Sequence, residues 1–369
     1  MVFLGIDLHT NCFTCCYLDE SGSRRLQSFD LDTPGFELFS ATLTPDTHVL
    51  VEATVNTFAF VERFQHLVTQ VIIANTHKLK IISFTDKKTD RVDAEKLARV
   101  IKTQVLSGEQ QIHPVMVPSK LVQDLRALFS TYQLVRKDIV STKNRIHSLL
   151  SQNLFPFTKK FIFGKKSRTL LREITTDQVL SYQLNFLFDL LEHLEWKTDQ
   201  LVEKILVTAH PFMHQIELLT TMRGISTFTA AAIMTDIESV SRFPNAKKFT
   251  AYLRSAPRVE SSNTTTINKS TNKSGRKLSI VLLTQSLNHF RDANPHLRDW
   301  NDRLATYKRK GVVRMGLCRK VFTHIYQMLK KDEPHHFADM ATQHKKMTAY
   351  RTLLRSYGIP TEVPRKKTA

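Results

Sequence analysis

A chain of 369 residues is long enough for two or three domains with real cores, and its 41% hydrophobic and 24% charged content are those of a globular protein in water. No apolar run approaches the roughly 18–20 residues of a membrane span, and the N-terminus lacks the basic region of a signal peptide. A cytoplasmic protein without membrane partners is therefore expected. Lys and Arg number 53 against 34 Asp and Glu, a formal net charge of +19, which favours a polyanion such as nucleic acid over a neutral partner. The four cysteines do not make a disulfide framework in a chain of this size. Cys12-Phe13-Thr14-Cys15 has a C-x-x-C form, but only the lone Cys318 lies elsewhere, so no zinc site follows.

In chain order, residues 2–7, 12–18 and 26–31 read as three strands, with Asp19-Glu20-Ser21-Gly22 as a turn. Thr33-Pro34 signals a helix start. Residues 48–52 are another buried strand, 57–69 are helix-periodic and 71–74 form a short strand. Strands first in hairpins and then alternating with helices imply a mixed α/β sheet flanked by helices. The basic, irregular stretch 77–88 then delivers a helix that opens at Asp90.

Four acids stand in matched settings in this first part. Asp7 ends the apolar run Val2-Phe3-Leu4-Gly5-Ile6, and Glu52 ends Val49-Leu50-Val51. Asp90 and Asp93 are three apart, so on a helix they share a face, and their mutual repulsion calls for a cation. Acids ending buried strands, joined by an acid pair opening a helix, are the layout of a two-metal phosphoryl-transfer site. Hard carboxylate ligands fit Mg²⁺ or Mn²⁺ better than zinc.

Residues 118–154 and 176–207 are long and helix-periodic, with a basic break at Lys159-Lys160 and Lys165-Lys166 between them. They predict a helical hairpin or coiled-coil arm, with a plain helical bundle as the alternative. The turn Met222-Arg223-Gly224-Ile225-Ser226, opening an Ala-rich helix, is either half of a phosphate-presenting helix-hairpin-helix or a simple corner. Lys247, Lys248, Arg254, Arg258, Lys269, Lys273, Arg276 and Lys277 follow against the single acid Glu260. In their midst the run from Glu260 to Thr266 is polar and shows neither helical nor strand periodicity. A second basic cluster includes Lys308, Arg309 and Lys310. Such stretches suit contacts to phosphate. Pro364-Arg365-Lys366-Lys367 reads as a basic tail. Walker A, G-x-G-x-x-G, H-E-x-x-H and G-x-S-x-G motifs do not occur in the sequence.

Gly5-Ile6-Asp7, Val51-Glu52-Ala53-Thr54 and Lys88-Thr89-Asp90-Arg91-Val92-Asp93-Ala94 resemble the DEDD tetrad of a RuvC-like domain, in the order found in transposases of the IS110/IS1111 type and the related Piv-type DNA invertases. Met222-Arg223-Gly224-Ile225, residues 249–257, Ser261-Ser262 and Lys273-Ser274-Gly275 resemble that family's C-terminal domain. Val55, Asn263 and Arg254-Ser255 stand where the family has Gly, Gly and Gly-Leu.

The resemblance implies an α/β RuvC-like (RNase H-like) N-terminal domain over 1–108, a helical coiled-coil region over 109–215 and a mainly α C-terminal transposase domain over 216–340, with a basic tail over 341–369. It implies a DNA recombinase in which the four acids bind Mg²⁺ and a serine, Ser262 with Ser261 as its close alternative, forms a covalent phosphoserine link to DNA. It further implies donor and target DNA chosen through a structured noncoding RNA, the bridge RNA. Dimers assembling to tetramers would face the acids of one protomer with the serine of another. The competing expectations are a Piv-like invertase or Holliday-junction nuclease using the acids alone, and a nucleic-acid-binding protein without catalysis.

Overall fold

The computed structural model describes residues 1–75, 89–110, 112, 114–155, 162–174, 177–262, 265–271 and 275–361, with the backbone alone for 174, 259–262 and 265–270. The expected loop over 77–88, Lys159-Lys160, Lys273 and the Pro364–Lys367 tail lie outside the described residues. The chain divides into two units, Met1–Val117 and Pro118–Ala369.

The first unit is a five-stranded mixed sheet with helices on both faces. Strands β1 (Val2–Leu8), β2 (Cys12–Asp19) and β3 (Arg24–Asp30) form an antiparallel meander, and β4 (Thr47–Glu52) and β5 (Gln70–Ala74) add in parallel beyond β1, giving the order β3-β2-β1-β4-β5. Period-two alternation sorts the side chains between faces. One face packs Leu4, Ile6, Leu8, Val49 and Val51 against helices α1 (Thr33–Ser40) and α2 (Thr57–Glu62). Its centre is a phenylalanine cluster, with Phe13–Phe60 rings 4.8 Å apart and Phe39–Phe64 5.2 Å apart. The expected helix over 57–69 stops at Glu62, and a 3-10 turn at Gln65–Leu67 follows.

The opposite face packs Phe3, Cys16, Leu18, Leu50 and Ile72 against Ala94, Leu97, Ala98 and Ile101 of α3 (Asp90–Ser107). This helix lies unusually close to β1 because Gly5 has no side chain. A Cβ there would stand 2.1 Å from the Ala94 carbonyl oxygen and 2.3 Å from the Ala98 nitrogen, distances that no side chain tolerates.

In the second unit two long helices, α4 (Lys120–Gln152) and α6 (Gln178–Thr208), pack along their length, with α5 (Lys165–Ile174) beside α6. Leu125 and Phe129 cluster with Ile205 at one end, and Ile146 and Leu150 with Leu180 and Leu184 towards the other, so the pair runs antiparallel. The basic stretch at Lys165-Lys166 opens α5, where Arg168 reaches Glu195 at 2.8 Å. Helices α7 (Met213–Thr220) and α8 (Thr227–Ile237) flank the Gly224 turn, and Ser226 is the N-cap of α8, its Oγ accepting from the Thr229 N–H at 3.0 Å.

Around α8, whose Ala230, Ala231 and Ala232 are fully buried, pack α9 (Ala246–Tyr252), α10 (Leu278–Gln285), α11 (Leu287–Ala293), α12 (Pro295–Ala305), α13 (Lys310–Lys331) and α14 (Met340–Ser356). Two expectations change here. The segment from 341, expected as a tail, is a docked helix to Ser356: Tyr350 and Leu354 are buried, and the Tyr350 hydroxyl donates to the Leu206 carbonyl at 2.9 Å. The polar run around 260–266 is not irregular but belongs to the hairpin β6 (Pro257–Ser262) and β7 (Thr265–Thr271). Its β-branched Val259, Thr265, Thr266, Ile267 and Thr271 favour extended backbone, and a two-stranded ribbon needs no buried face to impose alternation.

Candidate active site

The sheet and α3 together bring Asp7 and Asp90 to one place, with Asp93 nearby. Asp7 lies one residue before the end of β1, and Glu52 ends the parallel neighbour β4, where Ile6 pairs with Val51. Phe3 and Gly5 face α3, so Asp7, two further on, does too; Leu50 faces α3, so Glu52 follows by the same alternation. Helix α3 begins at Asp90, capped by Thr89, and carries Asp90 and Asp93 in its first turn. The close approach that Gly5 permits is what lets this helix end stand over the end of β1.

The Oδ2 of Asp7 and the Oδ1 of Asp90 each lie 3.3 Å from the Nε2 of His9, and one ligand atom from each of the three falls within 4.8 Å of the others. Asp93 turns to Lys96, 2.8 Å away on the next turn. Burial, chiefly, raises the Asp7 carboxyl above its ordinary pKa; Asp90 and Asp93 add to this by charge repulsion, and His9 opposes it. Two carboxylates and an imidazole nitrogen within one ion's reach fit a divalent cation, and the carboxylates suit Mg²⁺ or Mn²⁺.

His9 and Lys96 were not singled out from the sequence. The signal for His9 is its spacing: it stands two residues after Asp7, on the same side of an extended strand. Lys96 follows Asp93 by three on a helix, which reads equally well as an ordinary surface pair.

The serine part lies in the second unit. Backbone pairing sets Ser261 opposite Thr266 and Ser262 opposite Thr265 in the hairpin; their side chains, and that of Lys269, lie outside the described residues. Lys247 and Lys248 are exposed on α9, and Arg258 is exposed on β6. Arg254 donates from Nε to the Gly275 carbonyl at 2.6 Å, Arg276 pairs with buried Asp236 at 3.1 Å, and Lys277 precedes α10. Lys308, Arg309 and Lys310 are exposed at the start of α13, with the Lys308 ammonium 5.5 Å from the Tyr307 ring.

Two family models match the sequence. One, for DEDD transposases of the IS110 type, covers residues 4–156, which include all four acids. The other, described as transposase of the IS116/IS110/IS902 family, covers residues 216–299, which include the hairpin. No curated protein matches the chain.

Proposed function

The chain belongs to the IS110 family of insertion-sequence transposases, and from that premise we propose that it cuts and rejoins donor and target DNA with an acidic metal site and a serine nucleophile. The observation that carries this reading is the convergence of Asp7, His9 and Asp90 at the end of β1, with Asp93 in the same helix turn and Glu52 on the adjacent strand end. An antiparallel meander extended by parallel strands, with the catalytic acid on the central strand, supports an RNase H-like, RuvC-like unit.

Asp7, Glu52, Asp90 and Asp93 would hold Mg²⁺ or Mn²⁺, which supplies charge stabilisation at a scissile phosphate. His9, between Asp7 and Asp90, orients both carboxylates through its Nε2. The Ser262 Oγ, with Ser261 as the alternative, attacks the scissile phosphorus. The bridging P–O bond breaks, the leaving DNA oxygen takes up the proton that the serine hydroxyl gives up, and a phosphoserine diester forms. A hydroxyl of the partner strand reverses the step, joining new DNA and restoring the serine. The basic residues of the second unit, Lys247, Lys248, Arg254, Arg258, Lys269, Lys273, Arg276, Lys277, Lys308, Arg309 and Lys310, hold the nucleic acid.

The net charge of +19 agrees with a large anionic assembly, and bridge RNA fits that role. A second copy of the chain would cover the exposed stripe Val179, Tyr182, Phe186 and Trp196 on α6, the coiled-coil seam of a dimer that pairs again as a tetramer.

A mixing experiment tests the division of labour. Asp7→Ala and Ser262→Ala are each expected to abolish recombination of a donor–target plasmid pair. Mixed together, they are expected to regain a measurable fraction if acids and serine act from different protomers. Activity of Ser262→Ala and Ser261→Ala alone at the wild-type level would instead favour a nuclease or invertase that uses the acids only.

A further inference from the structure

The C-terminal end of α8 gathers three arginines, Arg126, Arg242 and Arg276. Asp236, 0% exposed, sits in the last turn of α8. Its Oδ2 accepts from the N–H of Ser279 at 2.8 Å and from the Ser279 hydroxyl at 2.6 Å, and its Oδ1 accepts from Arg276 Nε at 3.1 Å. One buried carboxylate thus ties the first turn of α10 and Arg276 to α8. Arg126 reaches in from α4, donating Nε to the Thr235 carbonyl at 3.3 Å and Nη2 to the Asp236 carbonyl at 3.4 Å. Arg242 donates Nη1 to the Ile237 carbonyl at 2.8 Å.

Three guanidinium groups therefore meet the Asp236 carboxylate and one helix end, where Glu238 is the C-cap and its Oε1 accepts from the Ser119 N–H at 3.0 Å. The helix end adds about half a negative charge, and the guanidinium groups crowd one another in a half-buried setting, where water screens them poorly. Burial, then the neighbouring Arg276, holds the Arg126 guanidinium below its ordinary pKa, the expected mark of a cation short of anions. Capping of α8 explains the carbonyl contacts of Arg126 and Arg242 but not the crowding of Arg126 by Arg276.

The same cluster forms the foot of the serine hairpin. The Arg276 N–H donates to the Tyr252 carbonyl at 2.9 Å, and Arg254 Nε donates to the Gly275 carbonyl at 2.6 Å, so the limbs entering and leaving the hairpin are braced across. Gly275 has φ +111°, and a Cβ there would stand 2.2 Å from the Tyr252 carbonyl oxygen. Arg254 and Arg276 each use Nε inside the fold, and among the described residues their terminal nitrogens have no partner. A guanidinium fixed through Nε and open at both terminal nitrogens is a preorganised fork for two phosphate oxygens.

We propose that Arg126, Arg254 and Arg276, organised by the buried positioning residue Asp236, form a phosphodiester-binding site that holds a backbone phosphate of the DNA strand at the foot of the serine hairpin. Its place in the reaction rests on the serine reading above; its binding does not.

The test uses the full-length protein and a fluorescein-labelled DNA duplex in EDTA, where strand cleavage does not intervene, with anisotropy read across a salt series. Arg254→Gln and Arg126→Gln are each expected to weaken binding several-fold and to reduce the slope of log K against log salt by about 0.9, one phosphate contact. Lys204→Gln, exposed on α6, calibrates the loss of a distant charge. Asp236→Asn separates an organised site from a diffuse basic patch. It adds one positive charge and loses the hold on Arg276, so the proposal expects weaker binding, whereas a diffuse patch binds more tightly. Melting curves of each variant report folding, and should Asp236→Asn melt early, Arg254→Gln decides alone. Slopes of both arginine variants equal to that of Lys204→Gln, or tighter binding by a folded Asp236→Asn, would overturn the proposal. Because the DNA is not cut, these results stand whether or not Ser262 is the nucleophile.

Discussion

Asp7 shows most directly how the site trades stability for chemistry. Its carboxyl titrates above the ordinary Asp range because it is partly buried and faces Asp90 and Asp93. A raised folded-state pKa means that the protonated form folds best. The contribution to stability is complete below the ordinary Asp value of about 4 and is lost as pH rises through the folded value. At neutral pH without metal, ionised Asp7 therefore costs stability. Asp7→Asn is expected to melt at a higher temperature than wild type in EDTA at neutral pH, with the difference closing as pH falls towards about 3, below the ordinary Asp value. A lower melting temperature for Asp7→Asn at neutral pH would refute this. Asp7 and Asp90, which the fold brings together, stand out in the sequence because an acid ending an apolar run and an acid pair three apart are local signals. His9 was not, because a lone histidine at a strand end has many ordinary uses.

At the scale of elements, the docking of α3 on β1 decides whether the acids meet. Gly5 makes that docking possible, and Gly5→Ala forces the helix outwards by more than a rotamer change can absorb. Overpacking of this kind costs about 1–3 kcal/mol. Gly5→Ala is thus expected to lower the melting temperature and to cut divalent-dependent DNA cleavage by at least tenfold, even under conditions where the protein stays folded. Wild-type cleavage by a folded Gly5→Ala protein would break the link between helix docking and the site. In the sequence Gly5 reads as part of an apolar run and of the Gly5-Ile6-Asp7 motif, without sign of the helix it meets, since close approach is a tertiary fact.

The first three strands, the start of α3 at Asp90 and the two long helices followed from apolar runs with a turn, a same-face acid pair and helical period. The β6–β7 hairpin did not, because its polar residues carry no burial pattern, and its braces reach back to Tyr252 and Asp236. Helix α14 was obscured by its basic residues, although Gln343, Met347, Tyr350 and Leu354 keep one face buried at helical spacing.

At the scale of the whole molecule, the net charge of +19 and the exposed apolar stripe of α6 point outwards, to nucleic acid and to a second copy. Phe186 is 59% exposed at the middle of that stripe. Phe186→Asp is expected to convert the proposed dimer to monomer in light scattering at micromolar concentration, with the helix content unchanged. A wild-type protein that is monomeric, or a dimer that Phe186→Asp leaves intact, would refute the proposed seam. Among the described residues no helix is long and apolar enough to cross a membrane, so the stripe has no reading as a bilayer span.

The central claim, that an acidic metal site and a serine act together to break and rejoin DNA, is tested most directly by trapping the covalent intermediate. The protein is incubated with supercoiled donor DNA, the proposed bridge RNA and Mg²⁺, quenched in detergent, digested, and searched by mass spectrometry for a nucleotide-bearing serine peptide. The account expects an adduct on Ser262, or on its neighbour Ser261, that requires the divalent ion and disappears in Asp7→Ala and Asp90→Ala. Divalent-dependent strand cleavage without any protein–DNA adduct would contradict it, as would an adduct that survives loss of both acids.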